Sequence, residues 1–500
     1  MGPNRYLMTS SQGLTASIEG KAPFIFITFQ GVYPCAARPG TNNIPHRQSL
    51  LKSTLLADHQ KLLQIPPMHR VFLLLASLIP ILAFAKSPNI VFILSDDQTW
   101  TDYSFMGHKV IETPHIDKLA KESLTYTHGY VPTSLCCPSL ATMITGLYPH
   151  QNKITGNEPP IPSEGKRSPE YAKRFQQQVA LIDKVPTLAR TLKEKGYVSH
   201  QSGKWWQGHY TRGGFTHGMT HGDPKRRGRH GDEGLRIGRE GMKPIFDFIE
   251  EAGDKPFFIW YAPFLPHTPH NPPKRLFDKY ATKVDSPHLA RYYAMVEWFD
   301  ETVGELVGHI DKKGLAKDTI IIYVTDNGWI QNPKARGYDM KSKRSQYDGG
   351  TRTPIMVRWP GTVKPAVSTT PVSSIDMVPT VLKAVGLKPT KDMRGLDLLD
   401  EKAINARKFL YGEIFLHNAV DTHNPAKNLT FRWGIQDGWK LILPHKENVT
   451  TRAAKGARGT GEIELYHLAK DPFETKNLAK ANTKKVALLR KLINNTWDGK

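Results

Sequence analysis

A chain of 500 residues with 39% hydrophobic and 10% aromatic side chains can bury one large domain and a smaller one, which excludes a mainly disordered protein. Its 68 Lys and Arg outnumber 46 Asp and Glu, and the net charge of +22 favours an acidic substrate; no nucleic-acid-binding module accompanies it, so no nucleic-acid partner is expected. The three cysteines, Cys35, Cys136 and Cys137, exclude a disulfide or zinc framework, and the side chains of an adjacent pair point apart.

Residues 1–67 carry no periodic pattern and read as an unstructured or spurious N-terminal extension. Met68-His69-Arg70, the apolar run from Val71 to Phe84 and Ala83-Phe84-Ala85 form a basic start, a short core and an Ala-x-Ala end, so 68–85 is predicted to be a secretory signal peptide. The run is short for a membrane span, and no stable membrane anchor is expected. The position implies that translation starts at Met68 and that the mature chain, beginning after Ala85, is periplasmic or secreted.

From Pro88 to Gln98 a continuous apolar run predicts a doubly covered strand, with Asp96 and Asp97 at its C-terminal edge. Ligands bind at that edge in open α/β sheets, and paired acids there repel unless a cation lies between them, a setting that suits Ca²⁺ or Mg²⁺. Thr113 to Ser123 has a cap, an early proline and helical spacing, and Leu124 to Tyr130 predicts a strand leading to Thr133–Gly146. In that stretch Pro138 suits a first helical turn and Ser139 can satisfy free amides. Cys136 then lies near a helix N-terminus, where a sulfate or phosphate anion is favoured.

A helix over Val185–Gly196, stopped by Gly196, precedes a strand over Tyr197–Trp206 that carries Lys204. The Gly-, His- and Arg-rich stretch His217–Arg239 reads as a loop insert at the mouth of the site. A helix over Gly241–Ala252 and a buried strand over Pro256–Ala262 lead into a Pro-rich loop with His267 and His270. A long helix over Ala290–Ile310 presents Glu297, Asp300 and Glu301. Asp318–Gly328 repeats the first theme, a buried strand ending in the oxygen ligands Asp326 and Asn327, with Gly328 allowing a tight turn. Lys343–Pro354 leads to a strand over Ile355–Gly361, and Ser373–Thr380 opens a helix. Past about residue 405, strands at Phe409–Phe415, Phe431–Leu443 and Glu464–Leu468 lack long intervening helices, and Val486–Trp497 is helical. The fold class is α/β: a large, mostly parallel sheet flanked by helices over 86–404, and a smaller C-terminal antiparallel sheet plus helix over 405–500.

Cys136-Cys137-Pro138-Ser139 with Thr145-Gly146 resembles the sulfatase signature, Cys-x-Pro-Ser-Arg followed by four residues and Thr-Gly; Leu140 stands where that family has Arg. Gly203-Lys204-Trp205 resembles its Gly-Lys-Trp-His motif, with Trp206 at the histidine position and His209 close by. Asp96-Asp97, Asp326-Asn327-Gly328, and Lys343 ahead of Tyr347-Asp348-Gly349-Gly350 resemble further motifs of the family in the same order, and the resemblance runs from Pro88 to the end. It implies an alkaline-phosphatase-like fold and a sulfuric ester hydrolase. Cys136 is implied to become formylglycine (3-oxoalanine) through a formylglycine-generating enzyme, with the hydrate as nucleophile. Ca²⁺, rather than Mg²⁺, is implied to be held by Asp96, Asp97, residue 136, Asp326 and Asn327. Lys204 is implied to hold the sulfate, and Lys343 and His267, with His270 as rival, to assist the departing oxygen; His209 is a further candidate for substrate binding. The implied substrate is a sulfated carbohydrate or a small sulfate ester. Two alternatives keep the fold: a phosphate mono- or diester hydrolase, and a non-catalytic sulfated-glycan-binding homologue, to which Leu140 and Trp206 point.

Overall fold

The apolar runs become the central strands of a nine-stranded sheet. In chain order these are β1 (Asn89–Ser95), β2 (Leu124–Tyr130), β3 (Val198–Gly203), β4 (His217–Gly218), β5 (Phe257–Ala262), β6 (Thr319–Thr325), β7 (Arg352–Arg358), β8 (Ala366–Ser368) and β9 (Val372–Ser373). The spatial order is β4-β3-β5-β1-β6-β7-β2-β8, with β9 also on β2. All pairings are parallel except those of β7, which runs antiparallel to both β6 and β2. Every residue of β1, β5 and β6 is buried, as strands covered on both faces require. This computed structural model describes residues 86–223, 228, 230–449 and 458–500; the predicted signal peptide, the extension before it and Cys35 lie outside them.

Alternation along β1 feeds two cores. Ile90, Phe92 and Leu94 point to the face covered by the helices Cys136–Thr145 and Met377–Ala384. Val91 and Ile93 point to the other, where Phe299, Val303 and Leu306 of the helix Pro287–Lys312 pack. At roughly 1.5–3 kcal/mol per fully buried large apolar side chain, these two layers are the main favourable contribution to folding.

Several boundaries differ from expectation. The helix expected over 185–196 is regular only at Leu188–Lys193, where the Thr187 side chain caps it. The strand expected at 355–361 lies earlier, at Arg352–Arg358, because it must register with Leu124–Tyr130. The stretch 217–239 is not wholly loop: β4 pairs with β3, and Asp232–Arg236 makes a 3-10 turn.

The second sheet is antiparallel, β10 (Leu410–Phe415), β11 (Leu429–Gln436), β12 (Trp439–Pro444) and β13 (Glu464–His467) in that spatial order, with the helix Thr483–Thr496 placing Leu489 and Ile493 against it. The span 431–443 is therefore a hairpin, turned at Asp437 and Gly438, both with positive φ. A buried ionic knot joins the sheets: Lys440 Nζ donates to Asp348 Oδ1 at 2.8 Å and lies 3.0 Å from Glu474 Oε1. Glu474 Oε2 accepts in turn from the Asp348 amide at 2.5 Å.

Candidate active site

β1 and β6 lie side by side, Ser95 opposite Thr325, so the residues after them emerge together at the C-terminal edge of the sheet. The Asp326 amide donates to the Ser95 carbonyl at 2.9 Å and the Asp97 amide to Asp326 Oδ1 at 3.1 Å. Asp97 has a φ of +69°, uncommon for a side chain with a Cβ and typical of positions held for function. Gly328 is required sterically, since a Cβ there would sit 2.0 Å from the Gly349 carbonyl oxygen.

Two buried lysines complete the cluster. Gly203, at φ +81° and with no room for a Cβ against Ala262, turns the chain out of β3 and points Lys204 at Asp96, where Nζ donates to Oδ1 at 2.7 Å. Lys343 Nζ donates to Asp97 Oδ1 and Oδ2 at 2.5 and 2.7 Å. Its loop is tied to the cysteine loop by the Arg344 amide on the Ser134 carbonyl (2.8 Å) and by Ser134 Oγ on the Ser345 carbonyl (2.6 Å).

Cys136 is the first residue of its helix, and Sγ accepts from Lys204 Nζ at 3.5 Å. Ser139 does not cap that helix: its Oγ is buried with no hydrogen bond among the described residues, and Asn157 Oδ1 instead accepts from the Cys137 amide at 2.9 Å. His267 Nδ1–H donates to the Thr268 carbonyl at 2.6 Å, which leaves the lone pair of a neutral ring on Nε2, 3.4 Å from Asp97 Oδ2. Donor atoms of Asp96, Asp97, Cys136 and His267 all lie within 4.8 Å of one another.

This group could hold a metal ion. Asp326 Oδ2 and Asn327 Oδ1 are buried with no hydrogen-bond donor among the described residues, and the Nε2 lone pair faces a carboxylate oxygen. Burying the two orphaned acceptors is costly unless a cation lies among them, and a set dominated by oxygen suits a hard one. Burial, with the neighbouring carboxylates adding to it against the pull of Lys204, pushes the carboxyl groups of Asp96 and Asp326 up from the usual aspartate value. Burial opposes the charge on both lysines, but Asp96 and Asp97 outweigh it and hold Lys204 and Lys343 above the usual lysine value. Burial pushes the Cys136 thiol up to about 12 against the pull of both lysines, so it is a thiol rather than a thiolate at neutral pH. Burial, with Lys204 and Lys343 beside it, holds His267 well below the usual histidine value.

Not every candidate joins this group. His209 bonds the Thr211 amide and hydroxyl, and its ring lies against Tyr210 and His221; none of its contacts reaches the carboxylates. His270 packs between Tyr292 and Trp329, ring centroids 5.4 and 5.8 Å away. The Trp206 indole sits 5.1 Å from the His230 ring, and Leu140 is part of the apolar core. Sequence reasoning missed Arg239, whose guanidinium donates to the Phe264 and His267 carbonyls at 2.8 and 2.9 Å and pins the histidine loop. It also missed Tyr292, which donates to the Asp97 carbonyl at 3.2 Å and to Asp102 at 2.6 Å. An arginine within a Gly- and His-rich stretch and a tyrosine inside a long helix carry no local signal for either role.

Residues 88–387 match the Sulfatase family, and residues 337–497 match the C-terminal region of N-sulphoglucosamine sulphohydrolase. The chain is 26% identical to the N-acetylgalactosamine-6-sulfatase of Sus scrofa, over 85% of this chain and 88% of that protein. It is 25% identical to an ulvan-active sulfatase of Formosa agariphila, over 82% and 79%. Among solved structures, a Pseudoalteromonas sulfatase superposes with a TM-score of 0.62 at 20% identity, covering 83% of this chain and 90% of that one. A protein solved with its substrate D-glucosamine-2-N,6-O-disulfate superposes equally well, with a TM-score of 0.62 at 20% identity over 83% and 98%.

Proposed function

The chain belongs to the sulfatase family and is a sulfuric ester hydrolase, and from that premise we propose that it frees inorganic sulfate from a sulfated carbohydrate, at a formylglycine made from Cys136 beside a Ca²⁺ ion, with Mg²⁺ the alternative. The observation that carries this reading is the convergence of Cys136, Asp96, Asp97 and His267 at the end of the sheet, next to two buried lysines. The sugar part of the reading is supported by the relatives that are N-acetylgalactosamine-6-sulfatases and by the structural neighbour bound to a glucosamine disulfate.

Charge favours a sulfate monoester over a phosphate monoester. Three buried carboxylates, Asp96, Asp97 and Asp326, face two buried ammonium groups, Lys204 and Lys343. One negative charge is left over, and a divalent cation held by those carboxylates and Asn327 turns it into one positive charge. That matches the single negative charge of a sulfate monoester and undercompensates a phosphate monoester dianion. When bound, the cation would supply charge neutralisation at the sulfate oxygens. A formylglycine at 136 would supply a hydrated aldehyde as oxygen nucleophile, where the buried thiol itself is held neutral.

The remaining steps fall to residues of the chain. Lys204 Nζ, already 3.5 Å from the side chain of residue 136, binds a sulfate oxygen there. Lys343 Nζ–H donates to the ester oxygen as its bond to sulfur breaks, which lets the alcohol leave without building up a full charge. His267, its Nδ1–H spent on the Thr268 carbonyl, presents Nε2 as an acceptor and so steadies a hydroxyl of the bound sugar rather than the ester oxygen itself. The apolar layer around Leu140 and Trp206 limits water at the cysteine side.

Peptide mass spectrometry of native protein should find residue 136 without its sulfur. Cys136→Ala should abolish release of sulfate from an aryl sulfate, and chelation should do the same until Ca²⁺ is restored. An unmodified thiol in a protein that still turns over aryl sulfate would refute the proposed nucleophile. We also propose, from the segment 68–85, that the protein is exported to the periplasm or beyond; N-terminal sequencing of the native protein should begin after Ala85.

A further inference from the structure

A cavity of about 540 Å³ opens beside the reaction centre, within the range of roughly 300–1,000 Å³ usual for ligand sites, and is lined by Thr268, His270, His288, Arg291, Gln331 and Arg336 among others. Its wall is continuous with the groups that grip the ester. Thr268 accepts the Nδ1 proton of His267 at 2.6 Å, and the His270 ring lies 5.8 Å from that of Trp329, over which Lys343 Nζ stands at 5.9 Å.

The wall is basic and unspent. No aspartate or glutamate is among its lining residues. Arg336 is exposed and makes no hydrogen bond or ion pair among the described residues. Arg291, also exposed, donates to the Pro287 carbonyl of its own helix at 3.3 Å and lies over the Phe277 ring at 5.1 Å, with no carboxylate partner. Other exposed arginines are paired, Arg275 with Glu301 and Arg236 with Glu240, so what sets Arg291 and Arg336 apart from the rest of the basic surface is their place on the wall of this cavity. Two guanidinium forks without acidic partners, in a cavity next to a sulfate-binding centre, match the planar oxygens of a second anion.

We propose that this cavity takes an anionic group, a sulfate ester or a uronate carboxylate, on the sugar adjoining the one whose ester is hydrolysed, so that the enzyme selects a polyanionic saccharide over an isolated sulfated sugar. This rests on the reading of the reaction centre as one for sulfated carbohydrate. Arg291 and Arg336 are the specificity-determining residues, and they act on binding rather than on the bond that breaks.

Titration calorimetry on full-length Cys136→Ala protein tests the cavity without turnover, using three disaccharides that share one sulfated sugar and carry a sulfate, a uronate or no charge on the neighbour. The expected result is that Arg291→Ala with Arg336→Ala weakens the charged ligands about tenfold or more, leaves the neutral one within about twofold, and flattens the salt dependence of binding. Loss for one charged ligand alone identifies which anion is read. Equal affinity of the unsubstituted protein for charged and neutral ligands, or no effect of the double substitution, overturns the proposal. Hydrolysis of aryl sulfate by the native protein is scored separately: turnover with no charge discrimination removes the cavity's role alone, and discrimination without any turnover removes the reaction reading alone.

Discussion

Lys343 shows how much one side chain settles. Both oxygens of Asp97 accept from its Nζ, and its charge survives full burial because that carboxylate outweighs the loss of solvation. A residue that donates to the departing oxygen matters most when that oxygen is a poor leaving group. Lys343→Ala should therefore lower kcat by about 10²–10⁴ on alkyl or sugar sulfates and far less on nitrophenyl sulfate. A series of aryl sulfates should show a steeper dependence on leaving-group pKa in the variant, and an unchanged slope would remove the role. At this scale the sequence was informative wherever a group sits at a strand end, as Asp96, Asp97, Asp326 and Lys204 do. It was silent on Arg239 and Tyr292, which reach the site from a loop and from the middle of a helix, and it named His209, whose ring is occupied elsewhere.

Among elements, the helix Pro114–Lys121 was legible but its cap was not. Thr113 at its start makes no capping bond; its hydroxyl goes to Ser104 and Asp117. The first amides, of His115 and Ile116, instead donate to Asp300 at 3.1 and 2.7 Å, from a helix some 185 residues on in the chain. Helical spacing reports which face is apolar, not which distant carboxylate meets the helix end. Asp300→Ala leaves two amides in a dry interior and should cost ~1–3 kcal/mol for each donor left unmade. Urea unfolding should register this as a lower midpoint with the same m-value, with kcat for aryl sulfate unmoved. The strands repeat the lesson: their apolar runs predicted β1, β5 and β6, whereas the reversal of β7 depends on partners that no local pattern encodes.

For the molecule as a whole, alternation of strand and helix before residue 405 and its loss afterwards were enough to anticipate two sheets of different kinds. Strand order, and the ionic knot between the sheets, were not. Stability against acid follows from the same burial that builds the cores. His200, on β3 and packed against Phe248, is held down to about 4 by burial, with His217 adding to the effect. Between pH 6.5 and 4 the unfolded chain binds a proton at this residue that the native state refuses. The full stability is therefore present above pH 6.5 and is lost as the pH falls towards 4, by ~3 kcal/mol for this group alone. His128 and His270, both lowered to about 4 by burial, act in the same direction. Replacing His200 with Phe should flatten the decline of Tm between pH 6.5 and 4; a decline as steep as in the unsubstituted protein would show that His200 is not responsible.

The knot of Lys440, Asp348 and Glu474 bears on how such a chain can be divided. Asp348 opens the turn through Gly349 and Gly350, a few residues past Lys343, while the cation that neutralises it comes from β12 and the carboxylate that receives its amide comes from beyond β13. Removing the part of the chain past about residue 405 would take away the closest cation of Asp348 and leave it to Tyr130 and Arg352, a few residues along the chain from the lysine proposed to assist the leaving group. The smaller sheet is thus a keystone rather than an appendage, and a minimal catalyst cut from this protein would have to retain it.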